Sequence, residues 1–255
     1  MRMKKNIGLK KIYNSTFQKK KRVRETDEFK EVLKIVQWSG KKVLDVGCGT
    51  GELAFLISKK GAKVKGIDYS EEGIDIAKKK YRHSNLSYEL VDVSKKISGK
   101  YDVIVSIGTL EHMDKPYQML KKFKNHLNPN GKIVITSPNW TNTRGLILMT
   151  LRLLFDAPIT LADLHYLTPV DFKNWGQRLE MKLTWKTIEH SWGNGEKLIS
   201  DLKERLPKIF NDMKIKGKQD KIDLFLKWIN QRVLPIIQSS EVDGAIGIYV
   251  LSKRK

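Results

Sequence analysis

The feature that most constrains this chain is a short apolar strand that runs into a turn with three glycines, VLDVGCGTG at residues 43–51. An acid, Asp45, interrupts the strand just before the turn, and a helix-compatible apolar pattern follows to residue 60. The glycines remove the Cβ atoms that would hold a ligand away from the backbone. A strand, a glycine turn and a helix in this order present backbone N–H groups and the positive end of a helix to a ligand. The stretch therefore predicts a ligand cradle, with packing of a strand-to-helix turn as the simpler alternative.

A second strand pattern, residues 63–68, ends in Asp68, which lies 23 residues after Asp45. Acids at about this spacing bind ribose hydroxyls in dinucleotide folds. Dinucleotide enzymes usually carry G-x-G-x-x-G, whereas this chain carries D-x-G-x-G-x-G with the acid inside the strand. Two families therefore stay open on these residues alone.

The motif resembles that of the class I S-adenosylmethionine-dependent methyltransferases. The resemblance continues in SIGTLEHM at 106–113 and LNPNGKIVITSPN at 127–139, which look like the stretches after strands four and five of the quinone-type O-methyltransferases. Two positions depart from the pattern. Asn130 stands where the family usually has glycine, and Gly108 stands where the quinone enzymes usually carry an acid. The second departure bears on the identity of the acceptor.

Alternating strand and helix patterns predict a parallel sheet with helices on both faces. With the resemblance, they predict an α/β, Rossmann-like, doubly wound seven-stranded sheet, mostly parallel with strand seven antiparallel. The predicted strands are 42–46, 63–68, 87–91, 101–107, 132–136, 181–188 and 245–252. The predicted helices include 51–60, 71–81, 116–127, 146–154 and 169–178. Ser70 is expected to cap the second of these, and Asn130 with Gly131 to form the turn into strand five.

A helical insertion is predicted between strands six and seven, at residues 193–240. Apolar residues repeat at helical spacing over 198–213 and 222–237, and Pro207 is expected to kink or split the first helix. The connection is too long for a hairpin loop. The apolar faces pack on each other, on the sheet edge or at a homodimer contact, or they form a lid over an apolar acceptor pocket. In the lid reading, the glycines at 193, 195 and 244 are hinges.

The predicted domain organisation is a basic N-terminal arm, 1–24, and a methyltransferase domain, 25–255, that includes the insertion. The chain has 49 Lys and Arg against 28 Asp and Glu, a net charge of +21, and the arm holds ten of the basic residues and no acid. Such a charge attracts nucleic acid or an anionic surface. Because only 10 of the 49 basic residues are Arg, the preferred reader of phosphates, nucleic acid is the less favoured partner.

Composition also bears on location. No stretch approaches the roughly 20 apolar residues of a membrane span, and the N-terminus lacks an apolar signal core. The single cysteine, Cys48, allows no internal disulfide. These features indicate a cytoplasmic protein.

The resemblance assigns cofactor contacts residue by residue, at the carboxyl ends of strands, where ligands bind in open α/β sheets. The methionine part of the cofactor is expected at Asp45, Gly47, Cys48 and Gly49, the ribose at Asp68 with Tyr69, the adenine at Asp92 with Val93, and the length of the ligand along Ile107 and Thr109.

Each assignment has an alternative. Asp68 and Asp92 are also compatible with turn acids that cap the next helix, Asp92 together with Ser94, but the resemblance favours the cofactor role for both. Cys48 reads either as a small turn residue or as a thiolate favoured at a helix start.

Two histidines are candidate general bases, because an imidazole is easily tuned to the working pH. His112 follows strand four, near where the transferred methyl group is expected, and His165 precedes the 169–178 helix. Each is also compatible with a loop histidine that bonds the backbone. No metal site is predicted, since the five histidines show no pair at ligand spacing on one helix.

These residues predict transfer of a methyl group from S-adenosyl-L-methionine to a small-molecule or lipid-like acceptor, with oxygen favoured as the acceptor atom. S-adenosyl-L-homocysteine is the expected product. Two other classes stay open: an RNA or protein methyltransferase that uses the basic arm, and a binding module that keeps the cradle without turnover.

Overall fold

A computed structural model describes residues 26–160, 163–237 and 240–253, so the predicted arm, 1–24, lies outside the described residues. The strands are β1 (Lys42–Val46), β2 (Lys63–Asp68), β3 (Leu86–Leu90), β4 (Tyr101–Ile107), β5 (Leu127–Pro138), β6 (Met181–Ile188) and β7 (Ile246–Lys253). The helices are α1 (Asp27–Leu33), α2 (Glu52–Lys59), α3 (Glu71–Lys80), α4 (Pro116–Asn125), α5 (Thr143–Phe155), α6 (Pro169–Arg178), α7 (His190–Asn194), α8 (Glu196–Asp212) and α9 (Gln219–Trp228).

The seven strands form one sheet in the order β3-β2-β1-β4-β5-β7-β6. β1 pairs in parallel with β2 and with β4, and β3 and β5 extend the parallel pairing on either side. The sheet is mostly parallel with one antiparallel strand, which confirms the predicted fold class. The strand order reverses between β1 and β4, and ligands of open α/β sheets bind at the carboxyl ends of the strands beside such a switch point.

The described chain forms two compact units, and the first holds residues up to 136, 173–184 and 249 onward. The central strands β1 and β4 are largely apolar and buried, as expected where helices cover a parallel sheet, whereas the edge strand β3 is partly exposed. Helices α1 and α2 pack their apolar faces against the centre of the sheet. This cluster includes Val32, Leu33, Val43, Leu53, Ile57, Val64, Val103, Val105 and Val134.

The second unit holds residues 137–172 and 185–248 and has a core of its own. Helices α5, α8 and α9 share this core, so the two predicted insertion helices pack on each other and on the predicted 146–154 helix. The cluster includes Trp140, Leu148, Ile159, Leu198, Leu202, Leu206, Ile209, Ile222, Leu226 and Ile229. The predicted use of these helices as a lid stays a prediction.

Buried asparagines and close-packed glycines hold the ends of this unit together. The side-chain N–H₂ groups of Asn139 and Asn142 both donate to the carbonyl of Gly244, at 2.8 and 2.9 Å. A Cβ on Gly193 would lie 2.1 Å from the carbonyl oxygen of Asp243, and one on Gly244 would lie 2.1 Å from that of Ile188. The structure therefore gives Gly193 and Gly244 a packing role, and their use as hinges stays a prediction.

Two local predictions need correction. Strand β5 begins at Leu127, not at 132, and Asn130 with Gly131 forms an irregularity within the strand, where the register to β4 shifts. Asn130 has a φ of +59°, so the predicted turn residues act as a bulge. Pro207 lies inside a continuous 17-residue helix, α8, and does not split it.

Candidate functional site

The glycine turn between β1 and α2 stands at the carboxyl edge of the sheet. Gly47 has a φ of +73°, a conformation that favours glycine. The N–H groups of Gly47 and Cys48 donate to the carbonyl of Ile67, at 2.8 and 3.1 Å, and hold the turn against the end of β2. A Cβ on Gly47 would lie 2.4 Å from the side chain of Thr109. A larger residue here would therefore push the turn away from the loop that follows β4.

Asp45 carries the most perturbed carboxyl group of this turn. The residue is 2% exposed, and its Oδ2 has no hydrogen-bond partner among the described residues. Burial raises the pKa of Asp45 to about 7, the charge of Asp68 adds to the rise, and the backbone N–H of Ala54 opposes it. A buried polar atom without a partner costs free energy. Its Oδ2 is therefore a place where a cationic or N–H group of a ligand is stabilised.

Asp68 ends β2 and faces the same turn. Its Oδ2 accepts the N–H of Gly49 at 2.9 Å, and its Oδ1 accepts the N–H of Ser70 at 2.8 Å. Burial raises the pKa of Asp68, and these backbone hydrogen bonds oppose the rise. The backbone N–H of Tyr69 also acts on this carboxylate, and since a carboxylate offers about four acceptor positions, not all of them are taken by the backbone. Ser70 itself caps α3, since its Oγ accepts the N–H of Gly73 at 3.1 Å.

Tyr69 and Cys48 lie near Asp68 and differ in their exposure to solvent. The side chain of Tyr69 is partly exposed, and burial together with the charge of Asp68 raises the pKa of its phenol to about 12. Cys48 is buried, and a Cβ on Gly66 would lie 3.0 Å from its Sγ. Burial, with the charges of Asp45 and Asp68, raises the pKa of the Cys48 thiol well above its ordinary value. The structure thus supports the small turn residue over the thiolate.

Asp92 and Val93 follow β3. The Oδ1 of Asp92 accepts the N–H of Ser94 at 3.0 Å and its hydroxyl at 2.5 Å. This contact is the shared turn that the sequence left open as the alternative for Asp92. The Nζ of Lys122 donates to the carbonyl of Val93 at 2.7 Å and ties the loop to α4. The adenine contact of both residues stays a prediction.

The loop after β4 carries Ile107, Gly108 and Thr109. The hydroxyl of Thr109 donates to the carbonyl of Ile107 at 2.9 Å. The N–H of Gly108 donates to both the hydroxyl and the carbonyl oxygen of Thr136, at 3.0 and 3.2 Å. The loop is thus fixed to β5 on one side and lies against the glycine turn on the other.

The two candidate bases fall in different units. His112 ends a 3₁₀ turn, Leu110–His112, and its Nε2 lies 4.0 Å from Oε1 of Glu111. The side chain of His112 is 17% exposed, and that of Glu111 is 3% exposed. His165 is half-buried in the segment between α5 and α6, in the second unit. The structure therefore brings His112, and not His165, into the unit that holds the glycine turn.

The structure contains two polar contacts that the sequence does not predict. The hydroxyl of Thr136 donates to Oε1 of Glu28, on α1. In the second unit, Nδ1 of His190 lies 2.6 Å from Oδ1 of Asp243. Burial raises the pKa of Asp243, but the hydrogen bonds from His190, the backbone N–H of Ser240 and Asn194 together outweigh it and hold the pKa below its ordinary value. Both pairs join residues far apart in the chain, so no local spacing predicts them.

The donor and acceptor set suits the predicted cofactor. The unpartnered oxygen of Asp45 suits the ammonium of a methionine moiety, and the remaining acceptor positions of Asp68 suit ribose hydroxyls. The absence of a Cβ at Gly47 lets the turn lie directly against the side chain of Thr109. The fold and this set define the class I S-adenosylmethionine-dependent methyltransferases.

A family model described as a methyltransferase domain matches residues 17–184, more than half of the chain. The chain therefore belongs to the class I S-adenosylmethionine-dependent methyltransferase family.

Curated relatives of the chain from several organisms share one name. The ubiquinone biosynthesis O-methyltransferase of Coxiella burnetii is 38% identical over 104 residues, 39% of this chain and 44% of that protein. Its namesake in Actinobacillus pleuropneumoniae is 36% identical over 111 residues, 40% of this chain and 47% of that protein. The mitochondrial ubiquinone biosynthesis O-methyltransferase of Schizosaccharomyces pombe is 32% identical over 123 residues, which are 45% of this chain and 44% of that protein. The chain thus spans less than half the length of these relatives.

Solved structures agree with the fold. The magnesium protoporphyrin IX methyltransferase of Synechocystis, with bound S-adenosylhomocysteine, superposes with a TM-score of 0.52 at 19% identity, over 71% of this chain and 76% of that one. Phosphoethanolamine N-methyltransferase 2 of Haemonchus contortus, in complex with S-adenosylmethionine, superposes with a TM-score of 0.57 at 16% identity. The match covers 90% of this chain and 53% of that one. Within the described residues, no helix is long and apolar enough to span a membrane.

Proposed function

We propose that this protein transfers a methyl group from S-adenosylmethionine to an oxygen atom of a small-molecule acceptor with an apolar body. The observation that carries the proposal is the shared name of the relatives at 32–38% identity, ubiquinone biosynthesis O-methyltransferase. An acceptor of that kind joins a polar ring hydroxyl to apolar substituents. Gly108, where the resembled enzymes usually carry an acid, leaves room for a different ring.

The cofactor residues have distinct roles in this proposal. When bound, S-adenosylmethionine supplies an electrophilic methyl group. Asp45 accepts from its ammonium group and Asp68, beside Tyr69, from its ribose hydroxyls, while Asp92 and Val93 line the adenine side. Holding donor and acceptor in one geometry supplies several kcal/mol of the rate enhancement, as is typical of reactions dominated by positioning.

The loop after β4 completes the cradle. The N–H groups of Gly47, Cys48 and Gly49 donate to Ile67 and Asp68, so these residues offer the surface of the turn, not its N–H donors, to the methionine part. Ile107 and Thr109 lie along the ligand. Thr109 packs directly against Gly47, so the turn and the loop are in contact. Water exclusion strengthens the polar contacts inside such a site.

His112 is the base that this proposal favours. An imidazole takes the proton of an acceptor hydroxyl, and the buried carboxyl group of Glu111, 4.0 Å from its Nε2, stabilises the imidazolium that results. His165 is the alternative base, from the second unit. His112→Gln is expected to slow turnover about 10²–10⁴-fold at saturating cofactor, the range typical of general-base catalysis.

A methyl-transfer assay with labelled S-adenosylmethionine tests the proposal. Separate pools of metabolites, lipids, RNA and protein serve as acceptors, alongside ring phenols and primary amines of matched size. We expect label in the phenols and in the lipid or metabolite pool, and much less label with Asp68→Ala at low cofactor concentration. Label in amines alone would reject oxygen as the acceptor atom. Label in no pool would favour a protein that binds the cofactor without turnover.

A second candidate, an RNA methyltransferase, is favoured by one observation, the ten cations and no acid within residues 1–24. Such a segment binds phosphates without reading sequence. Label in the RNA pool alone, lost when residues 1–24 are removed, would support this candidate over the small-molecule acceptor.

A further inference from the structure

Helix α1 contacts the carboxyl-terminal end of β5 through Glu28. Thr26 caps the helix, its Oγ1 accepting the N–H of Phe29 at 3.2 Å, and Val32 and Leu33 anchor its far end in the core. Two acids, Asp27 and Glu28, occupy the first turn, where the helix dipole favours them. Asp27 pairs with Lys30 on the surface, at 2.8 Å with both side chains at least half exposed. Glu28 instead accepts the hydroxyl of Thr136.

The hydroxyl group of Thr136 links Glu28 to the loop after β4 by hydrogen bonds. Thr136 is fully buried, and its hydroxyl group has one donor and two acceptor positions. The donor goes to Glu28, and one acceptor position takes the N–H of Gly108 at 3.0 Å. A hydroxyl that donates to a carboxylate becomes a better acceptor, so each hydrogen bond strengthens the next.

The chain of contacts ends at the glycine turn. Gly108 has a φ of +56°, and the conformation it sets places Thr109 against Gly47. Glu28, Thr136, Gly108 and Thr109 therefore form one continuous path from α1 to the turn, all within the first unit.

We propose that Glu28 is a positioning residue of the cofactor site, which orients the Thr136 hydroxyl and thereby holds the Gly108–Thr109 loop against the glycine turn. The inference rests on the proposed cofactor role of that turn and loop. It deepens the proposed function by adding α1, which the cofactor motif does not include, to the machinery that shapes the site.

The test is calorimetric binding of S-adenosylhomocysteine to single and double variants. Glu28→Ala and Thr136→Val are each expected to weaken binding about tenfold, the effect of losing one or two ordinary hydrogen bonds. Because both act on one path, the double variant should bind no more weakly than Thr136→Val alone. Thr136→Ser, which keeps the hydroxyl, should stay within about twofold of wild type, and Glu28→Gln should lie between wild type and Glu28→Ala.

Asp27→Ala is the matched control, since it removes the same charge from the same helix turn. It is expected to leave binding unchanged. Amide exchange at Gly108 in the ligand-free protein gives an independent readout, which should speed up in Glu28→Ala and not in Asp27→Ala. Unchanged affinity and unchanged Gly108 exchange in Glu28→Ala would overturn the inference, as would losses in the two single variants that multiply in the double. If wild type fails to bind the ligand, the proposed function fails, while Gly108 exchange still decides the role of Glu28.

Discussion

The carboxyl group of Asp45 has a different proton affinity in the folded and the unfolded chain. Burial raises its pKa to about 7 in the folded protein, whereas an unfolded aspartate ionises near about 3.9. Because the folded-state pKa is the higher of the two, the stability that this group contributes is full below about pH 4. It is lost as the pH rises through about 7. The site therefore retains a group that opposes folding at neutral pH, as functional groups often do.

Asp45→Asn removes this titration. We expect the free energy of unfolding of the variant, relative to wild type, to rise by roughly 2–3 kcal/mol between about pH 5 and pH 8. Urea unfolding of the ligand-free protein at both pH values measures it. A difference that does not change with pH would show that Asp45 ionises normally in the folded protein.

Binding of the cofactor product is expected to depend on pH for the same reason. A cationic ligand group beside Asp45 stabilises the ionised carboxylate, so binding below about pH 7 releases a proton. The affinity for S-adenosylhomocysteine should rise with pH, at most about tenfold per pH unit, and level off above about pH 7. Calorimetry in two buffers of different ionisation enthalpy measures the number of protons released on binding. Asp45→Asn should release none, and a count of zero in wild type at pH 6 would contradict the placement of the ammonium.

Asp68→Ala is expected to weaken S-adenosylhomocysteine binding by roughly 100-fold or more. Two charge-assisted hydrogen bonds to the ribose are lost, each worth about 1.5–3 kcal/mol. The matched control is Asp75→Ala, which removes an exposed acid from the neighbouring helix α3. Calorimetry on variants whose thermal unfolding stays cooperative measures the effect. Full affinity in folded Asp68→Ala would remove Asp68 from the site.

At the scale of elements, α8 shows how tertiary packing overrides a local signal. Pro207 has no N–H to donate, and its ring crowds the preceding turn, so a proline inside a helix usually costs stability. The helix nevertheless continues from Glu196 to Asp212, with Leu202, Leu206 and Ile209 buried in the second core. An ion-pair network adds to this anchoring. Asp201 on α8 accepts from Arg144 at 2.7 Å and from Arg205 at 3.0 Å.

Pro207→Ala is therefore expected to raise the free energy of unfolding by about 1–2 kcal/mol. The variant regains a backbone hydrogen bond, and the greater freedom of its unfolded chain offsets part of the gain. Pro116→Ala is the control, because Pro116 begins α4, where no intrahelical partner exists for the N–H. Urea unfolding compares the two. Destabilisation in Pro207→Ala would mean that the proline ring itself packs favourably.

Elements with local signals were predictable from the sequence. The Ser70 cap, the apolar face of α2 and the acid at the end of β2 follow from short spacings. The β5 irregularity was misread as a turn, because asparagine and glycine with positive φ suit both structures. The contact of Glu28 with Thr136 spans 108 positions, and no short-range pattern encodes it. Contacts to the acceptor share this difficulty, since they depend on how distant segments come together.

For the whole molecule, the distribution of charge separates the two candidate functions. Residues 1–24 carry ten of the 49 basic residues, and the rest of the chain carries 39 basic against 28 acidic residues. Lysines on an exposed helix face, such as Lys78, Lys79 and Lys80 on α3, attract polyanions weakly and without sequence preference. A dense cationic segment binds more strongly by the same counterion release. Net charge alone therefore predicts some RNA association for either function.

Deleting residues 1–24 distinguishes adventitious association from a functional one. If the acceptor is a small molecule, the deletion should leave S-adenosylhomocysteine affinity and turnover on phenols within about twofold of wild type. RNA binding by the intact chain should then be weak and equal for unrelated sequences, with log affinity falling by roughly 0.7 per phosphate contact against log salt. Fluorescence anisotropy with two unrelated single-stranded RNAs and one structured RNA, at about 50 and 200 mM salt, measures this dependence. Substituting Lys78, Lys79 and Lys80 with Gln provides the control, because it removes cations outside the segment. A tight complex with one RNA class that survives the higher salt and disappears on deletion, but not in the lysine variant, would reassign the acceptor to RNA.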